Sequence, residues 1–359
     1  MAKILAAVCR TFREPLSIEE IDIRAPEGRE VEVSLAACAI CASDLAFING
    51  AWDTDLPMVF GHEAAGRITG LGPGVTGFSL GDPVIVTLIR SCSQCASCGS
   101  GRPVSCSDVP GVRPALTGPS GEPMGQGMAT GAFAEKVVVD QSQIAKVPAD
   151  MDLTVASLLS CGVITGIGAV VNSAGLRPGE DAVVIGAGGV GLNTVQGARI
   201  AGARRVVALD LSEAKLAAAR EMGATDTVRA DQGDPAAEVH EILGRGADAV
   251  FVTVGAPAVY ESAIAHLAAS GRLVAVGMPP AGAEIHYGPD LLAYYGQKII
   301  GSRMGDTVLA RDIPWLVDLY AQGRLELDAL ISKRWAFDEI NAAIADTQSG
   351  SARRNVLVF

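Results

Sequence analysis

Positive charge is scarce in this sequence, which has 28 lysine and arginine residues against 40 aspartate and glutamate residues in a total of 359. The net charge of −12 repels phosphate backbones and anionic lipid head groups, so nucleic acids and membrane surfaces are disfavoured as partners. Aromatic residues make up only 4% of the chain, but 49% of all residues are hydrophobic. This hydrophobic fraction excludes a disordered chain, and the length favours two domains.

A secretory signal is also missing, because the first 20 residues contain one lysine, a very short apolar stretch and then charged residues. The sequence therefore predicts a cytoplasmic protein. Only one uncharged run, Leu153 to Leu176, is long enough to span a bilayer. Its serine, threonine, asparagine and glycine residues lower its hydrophobicity and favour a buried segment instead.

The pattern of strands and helices changes near residue 160. The earlier part consists of short alternating strands separated by Gly, Pro and Asp clusters, and the later part alternates apolar strands with helices. The tail ends in a strand-like segment, NVLVF. We expect an α/β protein with a β-rich domain at 1–160 and 303–359 and a doubly wound parallel sheet inserted at 161–302.

The segment GAGGVG, residues 186–191, matches the dinucleotide fingerprint G-x-G-x-x-G. It follows a predicted strand and opens a predicted helix, and Asp210 ends the next strand 19 residues after Gly191. The glycines permit a tight turn and a close approach of pyrophosphate to the helix N-terminus. Asp210 would accept hydrogen bonds from ribose hydroxyls and repel a 2′-phosphate, and Leu211 rather than an arginine follows it, so NAD is favoured over NADP.

Eight cysteines in a cytoplasmic chain indicate metal binding or catalysis rather than four disulfides. Four of them form a C-x2-C-x2-C-x7-C pattern within a loop at about residues 90–108: Cys92, Cys95, Cys98 and Cys106. Four thiolates at this spacing predict a structural zinc site with no open coordination position. An iron–sulfur cluster is the alternative, but the wide last spacing and the lack of a following proline disfavour it.

A catalytic metal needs three protein ligands and one open position. Cys41, His62 and Cys161 are candidates for such a site, and His62 is one of only four histidines. Each of these residues, considered alone, is more often structural. Composition and spacing do not select them.

Five motifs together resemble the medium-chain zinc alcohol dehydrogenases in order and approximate spacing. They are Cys41-Ala42-Ser43-Asp44, Gly61-His62-Glu63, the four-cysteine loop, Cys161-Gly162-Val163-Ile164-Thr165-Gly166 and GAGGVG. The resemblance covers essentially the whole chain. It implies a GroES-like catalytic domain, a Rossmann domain and two zinc ions per chain, one catalytic and one structural.

By this resemblance Cys41, His62 and Cys161 hold the catalytic zinc. Cys38 lies three residues earlier, but only Cys41 stands directly before the x-Ser-Asp pattern of the family. Two thiolates and a neutral imidazole leave the site uncharged, so zinc can polarise an oxygen, whereas four thiolates leave a charge of −2. Cys9 and Cys38 are then expected to be small buried hydrophobic residues.

The resemblance also implies roles for residues near the metal. Asp44 would fix the tautomer of His62, and Ser43 would take the alcohol proton and pass it on through the nicotinamide ribose. Glu63 would approach the zinc during ligand exchange or, equally well, form a salt bridge. Ala46 replaces the histidine that ends the proton relay in some relatives, so water would have to substitute.

The expected NAD contacts also follow from the resemblance, and Arg354 is the expected phosphate partner because Ala42 lacks the basic side chain that some relatives use. The full set is Thr165, Gly186, Gly188, Val190, Gly191, Asp210, Lys215, Val276 with Met278, and Arg354. Trp52 and Leu88 fall where the family lines its substrate channel. An apolar pocket there would favour a neutral alcohol or aldehyde.

The expected function is therefore hydride transfer between an alcohol, or an aldehyde or ketone in reverse, and NAD. Alternatives are polyol, threonine-like or thiol-adduct dehydrogenases of the same superfamily and, from another class, a non-catalytic dinucleotide-binding sensor. The sensor predicts loss of the catalytic ligands, and the polyol branch commonly replaces the third ligand with glutamate. The resemblance also implies a homodimer, as in longer-chain members, or a homotetramer, as in shorter bacterial ones.

Overall fold

A computed structural model describes residues 1–359 of the chain. The chain forms two compact units. The first unit comprises Met1–Cys161, Val308–Gln322 and Leu327–Phe359, and the second comprises Gly162–Thr307 and Gly323–Glu326. The second boundary lies five residues beyond the expected 302/303, because 303–307 contact the second unit. Thr307 Oγ1 donates to the Ile164 carbonyl at 3.4 Å, for example.

Eighteen strands follow one another along the chain. The first ten are β1 (Ala2–Cys9), β2 (Ser17–Ile23), β3 (Glu30–Ala39), β4 (Met58–Val59), β5 (Glu63–Leu71), β6 (Pro83–Val86), β7 (Leu116–Thr117), β8 (Pro123–Gln126), β9 (Lys136–Asp140) and β10 (Ile144–Lys146). The second unit holds β11 (Asp181–Ile185), β12 (Arg205–Asp210), β13 (Asp226–Arg229), β14 (Ala247–Val252), β15 (Leu267–Ala275) and β16 (Lys298–Gly301). The tail adds β17 (Lys333–Ala336) and β18 (Asn355–Val358) to the first unit.

Eleven α-helices accompany these strands. They are α1 (Ala42–Ile48), α2 (Ala96–Gly99), α3 (Leu153–Ser157), α4 (Gly162–Gly168), α5 (Gly189–Ile200), α6 (Glu213–Glu221), α7 (Pro235–Leu243), α8 (Pro257–Ala263), α9 (Pro289–Tyr295), α10 (Leu309–Ala321) and α11 (Ile340–Gln348). The short α1, α2 and α3 interrupt the part of the chain for which the sequence predicted strands only.

The first unit contains a closed barrel, β1-β2-β7-β8-β4, and a seven-stranded sheet, β10-β6-β5-β3-β18-β17 with β9 also paired to β3. Strand β18 pairs antiparallel with β3 and places Leu357 opposite Cys38. The last strand of the chain thus lies beside the strand that leads to Cys41. Fully buried aromatic side chains such as Phe60 and Phe133 fill the core of this unit.

All strands of the second unit are parallel and follow the order β13-β12-β11-β14-β15-β16. This is the 3-2-1-4-5-6 order of the doubly wound dinucleotide fold, whose ligands bind beyond the carboxyl ends of the strands. Every residue of β11 is buried, which explains its uninterrupted apolar sequence after Asp181. The helix-like sequence pattern that starts at Pro257 continues to Ser270, but α8 ends at Ala263 because β15 begins at Leu267 and pairs with β14.

No single helix of the chain is long and apolar enough to cross a membrane. The uncharged run is divided between α3, α4 and a π-helix at Ala169–Ala174. Leu153–Ser160 and Gly162–Ala174 reach the necessary length and composition only as a broken pair. Residues 155–170 of the run are buried, and the side chains of Val155 and Val163 are completely so.

Candidate functional site

Four metal-binding side chains converge in the first unit, although they are far apart in sequence. One ligand atom each of Cys41, His62, Glu63 and Cys161 lies within 4.8 Å of the other three. The pairing of β3 with β5 explains part of this convergence, because it sets Ala39 opposite Glu63. Cys41 follows the end of β3, and His62 directly precedes β5, so both reach the same edge of the sheet.

The His62 ring is held by Asp44, and both side chains are completely buried. His62 Nδ1 lies 3.0 Å from Asp44 Oδ1, and that oxygen also accepts from the Gly61 N–H at 3.0 Å. The other carboxylate oxygen accepts from the Cys41 N–H at 3.0 Å. A carboxylate at Nδ1 retains the proton there and leaves the Nε2 lone pair available for a metal.

The chemistry of this cluster fits a zinc ion. His62 Nε2 is buried and has no hydrogen-bond partner, as expected of a nitrogen whose partner is a metal. A hydrogen bond from Cys161 lowers the pKa of the Cys41 thiol well below its ordinary value, and the same contact raises the pKa of Cys161, so the thiolate that zinc requires is favoured at Cys41. Two sulfurs and one imidazole nitrogen form the donor set of a zinc site with one open position.

Glu63 contacts Arg354 within the same cluster. Arg354 Nη2 donates to Glu63 Oε1 at 2.7 Å, and that oxygen lies 4.0 Å from His62 Nε2. Burial raises the pKa of the Glu63 carboxyl, and the positive charge of Arg354 opposes this rise and favours the charged form. The structure therefore contains the salt bridge that was one of two expectations for Glu63, while Oε2 is buried without a partner. The expected contact of Arg354 with phosphate stays a prediction.

Ser43 and Trp52 lie near this cluster in sequence and differ in their surroundings. The half-buried Ser43 places its hydroxyl oxygen 3.7 Å from Cys41 Sγ. Trp52 makes an edge-on contact with Phe47 at 5.0 Å between ring centroids, and Phe47 stacks on the buried Phe60. Leu88 is half-buried just beyond β6. The expected roles of Trp52 and Leu88 in substrate binding stay predictions.

The four-cysteine loop brings its sulfur atoms together without disulfide bonds. The Sγ–Sγ distances are 3.5 Å between Cys92 and Cys106, 3.8 Å between Cys95 and Cys106, and 4.0 Å between Cys92 and Cys98. A tetrahedron with Zn–S bonds of about 2.3 Å has edges of about 3.8 Å. An iron–sulfur cluster would place several atoms between the thiolates, so these distances favour a single ion.

The glycine-rich turn of the second unit has the geometry of a nucleotide site. Gly186 has φ of +98°, a conformation that favours glycine. A Cβ on Gly191 would lie 1.7 Å from the Gly186 carbonyl oxygen, so no side chain fits there. Asp210 Oδ2 accepts from the Ala187 N–H at 2.8 Å and therefore lies directly beside the turn.

A cavity of about 600 Å³ adjoins this turn, and Gly186, Asp210 and Lys215 contribute to its walls. Gly188, Val190 and Gly191 lie at the start of α5, next to the turn. Thr165 on α4 bonds to Met304 Sδ at 3.7 Å, and Val276 follows β15. These last two residues are not part of the cavity wall, and their expected nicotinamide contacts stay predictions, as does that of the exposed Met278.

Several polar residues of the cavity were not predicted from the sequence. They are Asp234, Ser262 and His266. Asp234 followed by Pro235 is a typical helix start, which could have indicated a backbone contact but not a ligand contact. No motif in the sequence marks Ser262 or His266.

Comparison with known proteins agrees with this arrangement. Residues 27–149 match the alcohol dehydrogenase GroES-like domain, and residues 189–322 match the zinc-binding dehydrogenase family. The chain belongs to the medium-chain zinc-dependent alcohol dehydrogenase family, which confirms the expected combination of a GroES-like domain with a Rossmann domain.

Three solved structures are similar over the full length of the chain. An alcohol dehydrogenase zinc-binding domain protein from Burkholderia ambifaria is 35% identical, with a TM-score of 0.96 over 100% of this chain and 99% of its own. Benzyl alcohol dehydrogenase from Acinetobacter calcoaceticus is 30% identical, with a TM-score of 0.94 over 100% of both chains. A zinc-binding dehydrogenase from Sinorhizobium meliloti bound to NADP is 25% identical, with a TM-score of 0.84 over 100% of both chains.

Proposed function

We propose that the protein is an NAD-dependent zinc alcohol dehydrogenase that interconverts an alcohol with its aldehyde or ketone. The observation that carries this proposal is the buried cluster of Cys41, His62 and Cys161, in which His62 Nε2 has no hydrogen-bond partner. A dinucleotide-binding sensor without turnover would not need to keep a three-ligand cluster. We propose one catalytic zinc in this cluster and one structural zinc in the four-cysteine loop.

Residues around the cluster have two roles, positioning of a metal ligand and proton transfer. Zinc supplies Lewis acidity toward an alcohol or carbonyl oxygen, and the nicotinamide ring exchanges the hydride. Asp44 orients His62 by its 3.0 Å contact with Nδ1. The Ser43 hydroxyl is available to accept the proton of the alcohol, since it lies 3.7 Å from Cys41 Sγ. Ala46 provides no further proton acceptor, so we infer that the proton leaves through water.

The preference for NAD over NADP rests on the carboxylate of Asp210. It lies at the wall of the cavity and beside the glycine-rich turn, where it would accept hydrogen bonds from the ribose hydroxyls of NAD and repel the 2′-phosphate of NADP. The exposed Leu211 adds no positive charge there. The NADP-bound relative is more distant in sequence than the other two. An Asp210→Gly variant tests the coenzyme preference, which is measured as the ratio of NADP turnover to NAD turnover.

An apolar alcohol is the proposed substrate class. The aromatic group formed by Trp52, Phe47 and Phe60 lies on the part of the chain that follows Cys41. The 30% identical relative from Acinetobacter acts on benzyl alcohol, as its name states. Both observations favour aromatic or other neutral alcohols over polyols, threonine-like substrates and thiol adducts.

Zinc analysis and a substrate panel test the proposal together. About two zinc ions per purified chain are expected, with NADH formation from benzyl and aliphatic alcohols and weak activity with polyols. Cys41→Ala should lose one zinc and the turnover. Cys38→Ala is the matched control, because Cys38 is also completely buried but lies outside the cluster. Unchanged turnover in Cys41→Ala would refute the catalytic metal, and binding of NADH without turnover of any substrate would favour the sensor.

We also propose that the protein forms a homodimer through the edge of the second unit. Strand β16 pairs only with β15, and exposed apolar side chains surround it: Leu291, Tyr294, Tyr295 and Ile299 are 54%, 81%, 45% and 42% exposed. An uncovered edge strand with such neighbours is a surface on which a second copy can pair. Light scattering should give twice the chain mass for the wild type and the monomer mass for Ile299→Lys. A tetramer mass or a monomeric wild type would contradict the dimer.

The proposed location is the cytoplasm. Metal binding by the four-cysteine loop requires reduced thiols, which a reducing compartment maintains. Cell fractionation with an antibody to the protein tests this proposal, and recovery in an oxidising compartment would contradict it.

A further inference from the structure

The cavity of the second unit contains few groups that could recognise a ligand. It lies beyond the carboxyl ends of β11, β12 and β14, and most of its walls are apolar. Five lining residues carry polar side chains: Asp210, Lys215, Asp234, Ser262 and His266. In a largely apolar cavity, a few such groups determine which ligand fits.

Three of these side chains already have backbone partners. Asp234 Oδ1 accepts from two N–H groups in the first turn of α7, at 3.1 Å each. Ser262 Oγ donates to the Val259 carbonyl at 3.1 Å, one turn earlier on its helix. Asp210 accepts from the glycine-rich turn and from the Ser212 N–H. Lys215 carries only hydrogen-bond donors, so it cannot accept a hydrogen bond from an amino group.

His266 differs from the other polar residues of the cavity. The residue is 4% exposed, it lines the cavity, and its Nδ1 is buried without a hydrogen-bond partner. Burial, together with the nearby His240, lowers the pKa of His266 to about 4, against the opposing effect of Asp234. The ring is therefore neutral near pH 7, with one nitrogen that donates and one that accepts. Leaving such a buried group unpaired is unfavourable, so a ligand that pairs with it would gain affinity.

The backbone around His266 restricts where the ring can go. The residue ends a 3₁₀ turn at Ile264–His266, and β15 begins at the next residue. His240 Nε2 lies 3.0 Å from the Ala265 carbonyl oxygen and links this turn to α7. The backbone that carries the imidazole is thus held at the cavity wall.

We propose that the imidazole of His266 hydrogen-bonds to the adenine edge of the dinucleotide and makes the cavity selective for that base. This inference rests on the proposed use of NAD, in which Asp210 binds the adenosine ribose. The base is bonded directly to that ribose and must occupy the same cavity. Adenine offers an amino donor and ring-nitrogen acceptors, which complement the acceptor and donor of a neutral imidazole. No other polar side chain in the wall combines a free donor with a free acceptor.

Calorimetric binding of ADP-ribose tests the proposal without turnover or a nicotinamide ring. We compare ADP-ribose with its 1,N6-etheno analogue, which blocks the amino edge, and with its 7-deaza analogue, which removes the N7 acceptor. His266→Leu should weaken ADP-ribose binding roughly five- to tenfold, as expected for one net hydrogen bond. In the His266→Leu variant, the preference for ADP-ribose over at least one analogue should shrink toward unity. Changing His266 and the base together isolates the contribution of the contact between them.

Two further variants keep the test decisive. His266→Gln and His266→Asn retain an amide donor and acceptor and should recover part of the affinity and of the base preference. If His266→Leu does not fold, the same comparison of analogues is made with these two variants. His286→Leu is the matched control, because the side chain of His286 is 85% exposed and lies outside the cavity.

The outcomes separate this inference from the proposed function. If the wild type binds ADP-ribose but its preferences among the three ligands are unchanged in all His266 variants, base recognition by His266 is refuted and NAD use is not. If the wild type binds neither ADP-ribose nor NADH, the proposed coenzyme is refuted and the role of His266 with it. A loss of base preference confined to the His266 variants supports the inference.

Discussion

Replacement of Asp44 by asparagine tests how much the proposed catalytic zinc site depends on a residue outside its ligand set. The Asp44 carboxylate is completely buried and accepts three hydrogen bonds of 3.0 Å, from Cys41 N, Gly61 N and His62 Nδ1. An amide of the same shape has only one accepting oxygen. If that oxygen faces His62 and Gly61, the amide NH₂ opposes the Cys41 N–H. If the NH₂ faces His62 instead, Nδ1 must accept, and the ring proton moves to Nε2, where it blocks the metal.

Both orientations should weaken zinc binding at the catalytic cluster about 10- to 100-fold, the usual effect of removing a carboxylate behind a histidine ligand. This corresponds to about 1.4–2.7 kcal/mol. A competing chelator measures the affinity, and the zinc proposed for the four-cysteine loop serves as an internal reference because its ligands are unchanged. Asp53→Asn is the matched control, since Asp53 is exposed. Equal zinc affinity in Asp44→Asn and the wild type would show that Asp44 does not determine the histidine tautomer.

The two candidate metal sites differed in how far the sequence alone could predict them. Cys92 and Cys98 are six residues apart within one loop, so their spacing was sufficient to indicate a shared ion. Cys41 and His62 are brought together by the register of β3 and β5, which no local pattern encodes. The family resemblance was needed to select them, and it selected residues whose ligand atoms the structure places within 4.8 Å of one another.

Contacts across long sequence separations account for what the sequence could not indicate. Glu63 and Arg354 are 291 residues apart and meet because β18, which follows Arg354, pairs with β3. The early end of α8 depends on the pairing of Leu267 with β14 rather than on helix propensity. The position of His266 in the cavity wall follows from that same boundary, because a longer helix would direct its side chain differently.

Three further predictions follow from the geometry. Gly191→Ala should abolish ADP-ribose binding in calorimetry, because its Cβ would lie 1.7 Å from a carbonyl oxygen in the glycine-rich turn; binding within threefold of the wild type would contradict this. Cys98→Ser should lose the zinc of the four-cysteine loop and lower the melting temperature while the catalytic zinc is retained, as metal analysis and calorimetry would show. The ligand-free protein should lose stability on acidification through His266, because burial, with a smaller contribution from His240 and against Asp234, lowers the pKa of His266 to about 4 in the folded state. The unfolded chain takes up this proton at about pH 6.5, so stability falls as the pH drops from 6.5 to 4, by about 3 kcal/mol in total. Urea unfolding of the wild type and His266→Leu at pH 5 and 7 measures the free energy of unfolding at each pH. An equal pH dependence in the two proteins would exclude His266 as the source of the lost stability.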